Sequence, residues 1–349
     1  MNIRPNHLLE RVSFRDEPDV TIEDADVTAD DQAREVSRDL RRGSDAYLRL
    51  PWGSLSSLLG NIPAGDVWYA GGFSGDGKTT FLTSLALDLI EQGYRIYYVP
   101  TESPPKVIRT HFACKVLGLD AGDVLTGEYA GQVDAENIYA SIDREVKRLV
   151  EPDHEGRRKL WIAGDGFLNP LSLLAHAASA KELGADIFIV DHIDHVEGTG
   201  KTLFEASVMA NKTLLKITAD YGLRVLAATQ FNLEAVRGKR VMRYMAPQPS
   251  YVYMGNHKRQ IASGMIGLYR PLKMRGLDPE MLKAFNAGSA SVQLKDILEP
   301  NTMAVSVMKH RLYGQREGQR AFLHVKYGRV LDQDQGSFVH GIRTNRDVI

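Results

Sequence analysis

The chain has 349 residues, 43% of them hydrophobic, enough to bury a substantial core in one large domain or two smaller ones. A formal net charge of -1 excludes a protein that grips nucleic acid through a uniformly basic surface, and a single cysteine, Cys114, excludes an internal disulfide and fits a reducing compartment. The opening residues lack an apolar signal segment and no window approaches a membrane helix, so a soluble, cytoplasmic chain without membrane contact is expected.

Residues 16–31 carry Asp16, Glu17, Asp19, Glu23, Asp24, Asp26, Asp30 and Asp31 with no base among them, and read as a solvated tail. From Asp31 to Leu40 an acidic start and a basic end predict a short helix, with Arg38, Arg41 and Arg42 near its C-terminus and Gly43 as its stop. Ala33, Val36 and Leu40 are too few to anchor a core, so this is a linker helix that needs another surface. Residues 1–45 are thus tail and linker, and 46–349 are one domain.

From about Tyr47 strands and helices alternate. The strand at 66–72 runs into glycines, and a helix follows from Lys78 with Phe81, Leu82, Leu85, Ala86, Leu89 and Ile90 on one face and Gly93 beyond it. Between them Gly72-Phe73-Ser74-Gly75-Asp76-Gly77-Lys78-Thr79 matches G-x-x-x-x-G-K-[ST] at every fixed position, in the required strand–loop–helix context. Glycines let the backbone wrap a phosphate, and its N–H groups and the helix N-terminus then face the anion. Lys78 would meet the β- and γ-phosphates of ATP and the Thr79 hydroxyl a Mg²⁺ ion. The nucleotide-binding set is Gly72, Ser74, Gly75, Asp76, Gly77, Lys78, Thr79 and Thr80.

The next strand, 95–100, leads to Glu102, placed either to polarise an attacking water or to cap the helix that follows. On that helix Arg109 reads as a surface charge, and His111 and Cys114 pack. A helix opened by Asn169 and Pro170 and stopped by Gly184 precedes the apolar strand 187–190, whose terminal Asp191 is the second carboxylate that a phosphate loop needs for its metal. His192 and His195 read as exposed imidazoles of a strand-end turn. A helix from Leu203 to Tyr221, stopped by Gly222, leads to a strand ending at Gln230, an amide able to touch a γ-phosphate or merely a surface residue. Alternation of this kind predicts an α/β fold with a mostly parallel sheet covered on both faces.

Residues 235–277 contain no acid. Between Gln230 and the next strand they read as a loop, in which Arg237, Lys239, Arg240, Arg243, Lys258 and Arg259 alternate with Tyr244, Tyr251 and Tyr253. Cations that track phosphates and rings that stack on bases suit single-stranded nucleic acid, while a solvated loop or an acidic neighbour is the plainer alternative. Beyond 262 helices become scarce and four strands with antiparallel pairing are expected.

The segments 71–103, 187–196, 223–232 and 307–332 resemble, in order and spacing, the motor domain of DnaB-type replicative helicases, with the likeness spanning about Leu48 to Asp332. The resemblance implies a RecA-like P-loop NTPase, Glu102 as catalytic base, Asp191 as Walker B acid, Gln230 as γ-phosphate sensor and Arg109 as a nucleotide contact, in place of a surface charge. It also implies that Lys309 and Arg311 act on ATP bound by the neighbouring subunit of a hexameric ring that moves along single-stranded DNA. Read alone, those two residues are a solvated basic strand end. Two features depart from the family. No helical domain is expected ahead of the motor, as is often so in phage or plasmid versions, which bears on contact with a primase or loader, and 271–300 is longer than expected. A RecA-like recombinase or filament ATPase, and a regulatory ATPase whose basic loop binds protein, share this core.

Overall fold

A computed structural model describes Arg34 and residues 47–332, apart from 61, 64, 165–167, 197–201, 233–246, 248, 254 and 271–300. The expected linker helix, except for the helical and exposed Arg34, and the 271–300 insertion thus lie outside the described residues.

Short runs rich in β-branched and aromatic residues form the strands. β1 (Tyr47–Leu48) and β2 (Ile62–Pro63) make a small antiparallel ribbon. The others, β3 (Val67–Gly72), β4 (Ile96–Pro100), β5 (Leu160–Ile162), β6 (Ile187–Asp191), β7 (Arg224–Gln230), β8 (Gly264–Tyr269), β9 (Thr302–His310), β10 (Arg320–Lys326) and β11 (Arg329–Asp332), form one nine-stranded sheet. Its order is β11-β10-β9-β8-β3-β7-β6-β4-β5. Pairing is parallel from β8 through β5 and antiparallel from β8 to β11. The antiparallel C-terminal strands are as expected, with β8 the strand at which direction changes.

Residues alternate between the two faces with period two. On β4, Ile96 and Tyr98 enter one core and Tyr97 and Val99 the other; on β6, Ile187 and Ile189 oppose Phe188 and Val190. The first core lies under α1 (Gly53–Leu59), α2 (Lys78–Glu91), α3 (Pro105–Leu117) and α5 (Ala135–Val150), with α4 (Ala121–Thr126) packed on α3. The second lies under α6 (Pro170–Glu182), α7 (Leu203–Tyr221) and α8 (Gly255–Ile261).

Helix limits follow the capping signals. Asn169 and Ser172 form a capping box before α6, Thr202 and Glu205 another before α7, and Gly222 closes α7 at φ 65°. Two expectations are corrected. α2 buries Thr83, Ser84, Leu87 and Asp88 as well as its apolar face, because β11 covers its other side: Val330 N donates to Ser84 Oγ at 3.0 Å and Arg329 Nη2 pairs with Asp88 at 2.6 Å. The end of the basic stretch is not loop, since 249–251 form a 3₁₀ turn and 255–261 form α8. Among the described residues, no helix is long and apolar enough to cross a membrane.

Candidate nucleotide site

β3 lies inside the sheet, between β7 and β8, and delivers the glycine-rich loop at its C-terminal end. Gly77, at φ 91°, adopts the left-handed conformation that turns the chain into α2, and no side chain caps that helix. A Cβ on Gly77 would come within 2.8 Å of Met303 Cε and 3.4 Å of Arg270 Nη2, so the loop is held against β9 and the end of β8. Phe73 N donates to Asp76 Oδ2 and Asp76 N to Phe73 O, each at 3.1 Å, which closes the turn. Ser74 and Gly75 are exposed; Thr79 and Thr80 are half-buried at the helix start.

Lys78 folds over this turn, donating to Gly72 O at 3.0 Å and Phe73 O at 3.2 Å, with 8% of its surface exposed. Burial pushes its pKa down, while Asp191, Asp76, Glu102 and Asp194 oppose that shift. The Lys78 ammonium thus sits buried against the glycine-rich turn, with four carboxylates near enough to favour its charge.

The neighbouring strand tips supply the other groups. Gly72 pairs with Gln230 on β7, and Pro100 of β4 with Asp191 on β6, so the glycine-rich loop, Gln230 and Asp191 stand along one sheet edge. Asp191 is 5% exposed and accepts from Tyr98 Oη at 2.7 Å. Burial, then the charge of Asp191, keeps that phenol protonated, so it fixes one carboxylate oxygen. Glu102 follows β4 with its side chain 63% exposed and Oε2 3.4 Å from His192 Nε2. His192 is buried, contrary to the expected exposed imidazole, because the chain turns it under Glu102 and Thr101 binds its backbone on both sides; His195 is exposed. Burial lowers the His192 pKa, against the pull of Asp194, which keeps the ring neutral at physiological pH. Among the described residues, no cluster of His, Cys, Asp and Glu is arranged as a dedicated metal cage.

Behind β7 lies a network that motif spacing did not reveal. Gln230 N and Thr229 Oγ1 donate to Asp194 Oδ2 at 2.6 and 2.9 Å, and Lys258 Nζ pairs with Asp194 Oδ1. Lys258 also donates to Thr229 Oγ1 and Tyr253 O, both at 2.9 Å, and is fully buried. Its expected place on the DNA-facing surface is therefore corrected: α8 turns this ammonium inward to neutralise Asp194. Arg259, the next residue, is exposed. Arg237, Lys239, Arg240 and Arg243 lie outside the described residues. Arg109 is half-buried on α3, and its side chain makes no hydrogen bond or ion pair among the described residues.

Lys309 and Arg311 stand elsewhere. His310 pairs with Gly264 and Gly264 with Trp68, so the K-x-R segment lies at the start of β3, opposite the phosphate loop. The loop begins four residues further along β3, roughly 13 Å at ~3.3 Å per residue. Lys309 Nζ donates to Ala262 O at 2.6 Å and to Arg259 O, and the exposed Arg311 donates through Nη2 to Ile261 O at 3.2 Å.

A phosphate loop on a central parallel strand, with carboxylate and amide on the adjacent tips, defines a RecA-like P-loop NTPase fold. Within that class the chain has the fold of the DnaB-type helicase motor domain. A DnaB-like replicative helicase, solved in a study of its interactions with primase, is 13% identical over 87% of this chain and 67% of that one, with a TM-score of 0.65. A solved ATPase domain is 12% identical over 88% of this chain and 99% of that one, with a TM-score of 0.67. In sequence, the DNA repair protein RadA of Brucella abortus is 30% identical over 143 residues, 38% of this chain and 30% of that protein. No protein-family model matches the chain.

Proposed function

We propose that this chain is an ATP-hydrolysing motor that assembles as a ring, a hexamer, and moves along single-stranded DNA, with ATP bound at the interfaces between subunits. The observation that carries the reading is the separation within one subunit. Lys78, Asp191, Glu102 and Gln230 share one sheet edge, whereas Arg311 is exposed at the opposite edge. An arginine so placed serves a phosphate held by another copy, and a closed ring gives each site its missing cation.

The residues fit the ligands. Gly77 admits no Cβ without displacing Met303, and Lys78 is buried among oxygens. The Thr79 hydroxyl and the Asp191 carboxylate, the latter through water, are the hard oxygen donors that suit Mg²⁺, which would neutralise charge on the phosphates. Glu102, exposed beside the neutral His192, polarises the attacking water; Gln230 senses the γ-phosphate; Lys309 and Arg311 steady the charge that develops next door.

DNA contact is assigned to the stretch after Gln230, through Arg237, Lys239, Arg240, Arg243 and Arg259. It rests on the acid-free run from 235 to 277 and on the hydrogen bond from Tyr253 N to Gln230 O at 2.9 Å, which joins that stretch to the sensor. A primase or a loader is a further partner suggested by the fold. The test is ATP turnover with and without single-stranded DNA, with Glu102→Gln and Arg311→Ala beside the parent. Stimulation by DNA in the parent and loss of turnover on the order of a hundredfold or more in both variants supports the reading. Turnover indifferent to DNA would move the assignment to a regulatory ATPase.

A further inference from the structure

The buried ion pair behind Gln230 and the cations at the far edge are joined by one short helix. Asp194 grips the sensor strand through Gln230 N and Thr229 Oγ1, and Lys258 on α8 grips Asp194. Immediately beyond Lys258, the carbonyls of Arg259, Ile261 and Ala262 at the C-terminal end of α8 accept from Lys309 and Arg311. Arg311 N adds a bond to Ser263 O at 2.8 Å. Carbonyls at a helix C-terminus are the natural seat for cations, so the fingers are held by the end of α8. The other part of α8 cannot slide freely, because a fully buried ammonium that leaves its carboxylate strands two uncompensated charges. A seven-residue helix is about 10 Å long and moves as a unit.

We infer that α8 is a rigid link between the two half-sites of a subunit, with Lys258 as the positioning residue that fixes Arg311 relative to Gln230. A shift of the sensor strand at a subunit's own nucleotide is thereby passed to the finger presented to the next subunit. The inference rests on the shared-site reading above and adds the element and the residue that couple one site to its neighbour.

Mixed assemblies test it. Lys78→Ala subunits keep their fingers but lose their phosphate loop; Arg311→Ala subunits keep the loop but lose the finger. Neither alone turns over ATP, while random mixing places about a quarter of the interfaces in the productive order and restores activity. Adding Lys258→Met to the Lys78→Ala subunit should cut the restored turnover on the order of tenfold, although that subunit's own loop is already dead. Adding Asp194→Asn with Lys258→Met to the same subunit removes both buried charges and should recover its melting temperature but not the turnover. The link is overturned if Lys258→Met leaves the restored turnover intact, since Lys258 then acts only on its own sensor. It is also overturned if the charge-free double variant recovers turnover along with melting temperature, since the ion pair is then a stability element alone. Absence of turnover in the reference mixture instead sinks the shared-site reading, and the link with it.

Discussion

Lys78 and His192 show how burial tunes single groups around the nucleotide site. Both are buried within a cluster of carboxylates, and in both desolvation is the largest influence on the pKa and lowers it. For His192 the sign of the pH dependence follows directly. The unfolded chain binds a proton near the ordinary histidine value of about 6.5, and the folded ring only at lower pH, so protons favour unfolding between those values. Stability from this group is complete above about pH 6.5 and declines as the pH falls toward the folded value. Melting temperatures at pH 7.5 and 5.5 should therefore converge in His192→Gln relative to the parent; an unchanged difference would show that other groups set the acid limit. Gly77 makes a sharper case. Its φ of 91° strains any side chain, and a Cβ would also have to displace the flexible Met303 Cε at 2.8 Å, so Gly77→Ala should cost about 1–3 kcal/mol and weaken ATP binding measured by calorimetry.

The clamp between β11 and α2 is a property of elements rather than of single residues. Asp88 on α2 accepts from Trp52 Nε1 at 2.9 Å and pairs with Arg329 of β11 at 2.6 Å, while Arg329 also reaches Glu91 at 3.4 Å. Burial raises the Asp88 pKa despite these partners, so the carboxylate depends on Arg329 for its charge. Arg329→Met should lower stability by about 3 kcal/mol in urea melts, with much of that regained when Asp88→Asn is added. Equal losses in the single and double variants would mean that Arg329 matters by packing alone. This clamp also explains why the apolar stripe of α2 understated its burial: β11, which covers Ser84 and Asp88, binds Ser84 across 246 residues of sequence.

Elements with strong local signals were legible. The phosphate loop, the β6 strand ending in Asp191, and α7 between Thr202 and Gly222 are each specified by residues adjacent in the chain. α5 went unread although Ala135, Ile138, Ile142, Val146 and Leu149 recur at helical spacing, because no capping side chain marks its start. α8 was hidden for another reason. Its Lys258 and Arg259 read as a solvated basic pair, and only the sheet order, which sets β6 beside β7 and folds α8 behind them, brings Asp194 to Lys258. Charge in a sequence does not say whether its partner is solvent, a ligand or a buried acid. Long-range pairing decides that.

For the whole molecule, Arg311 and the phosphate loop occupy opposite edges of one sheet, which is the ground for proposing that no subunit completes its own site. A site shared between subunits makes turnover a function of assembly. The most direct measurement is ATP turnover per subunit across a wide range of protein concentration, with light scattering on the same samples. Turnover per subunit should be near zero where the scattering mass is that of the monomer and rise steeply as the oligomer forms, with Arg311→Ala assembling normally yet remaining inactive. A monomer that hydrolyses ATP at the full rate, indifferent to dilution and to Arg311→Ala, would contradict the shared site.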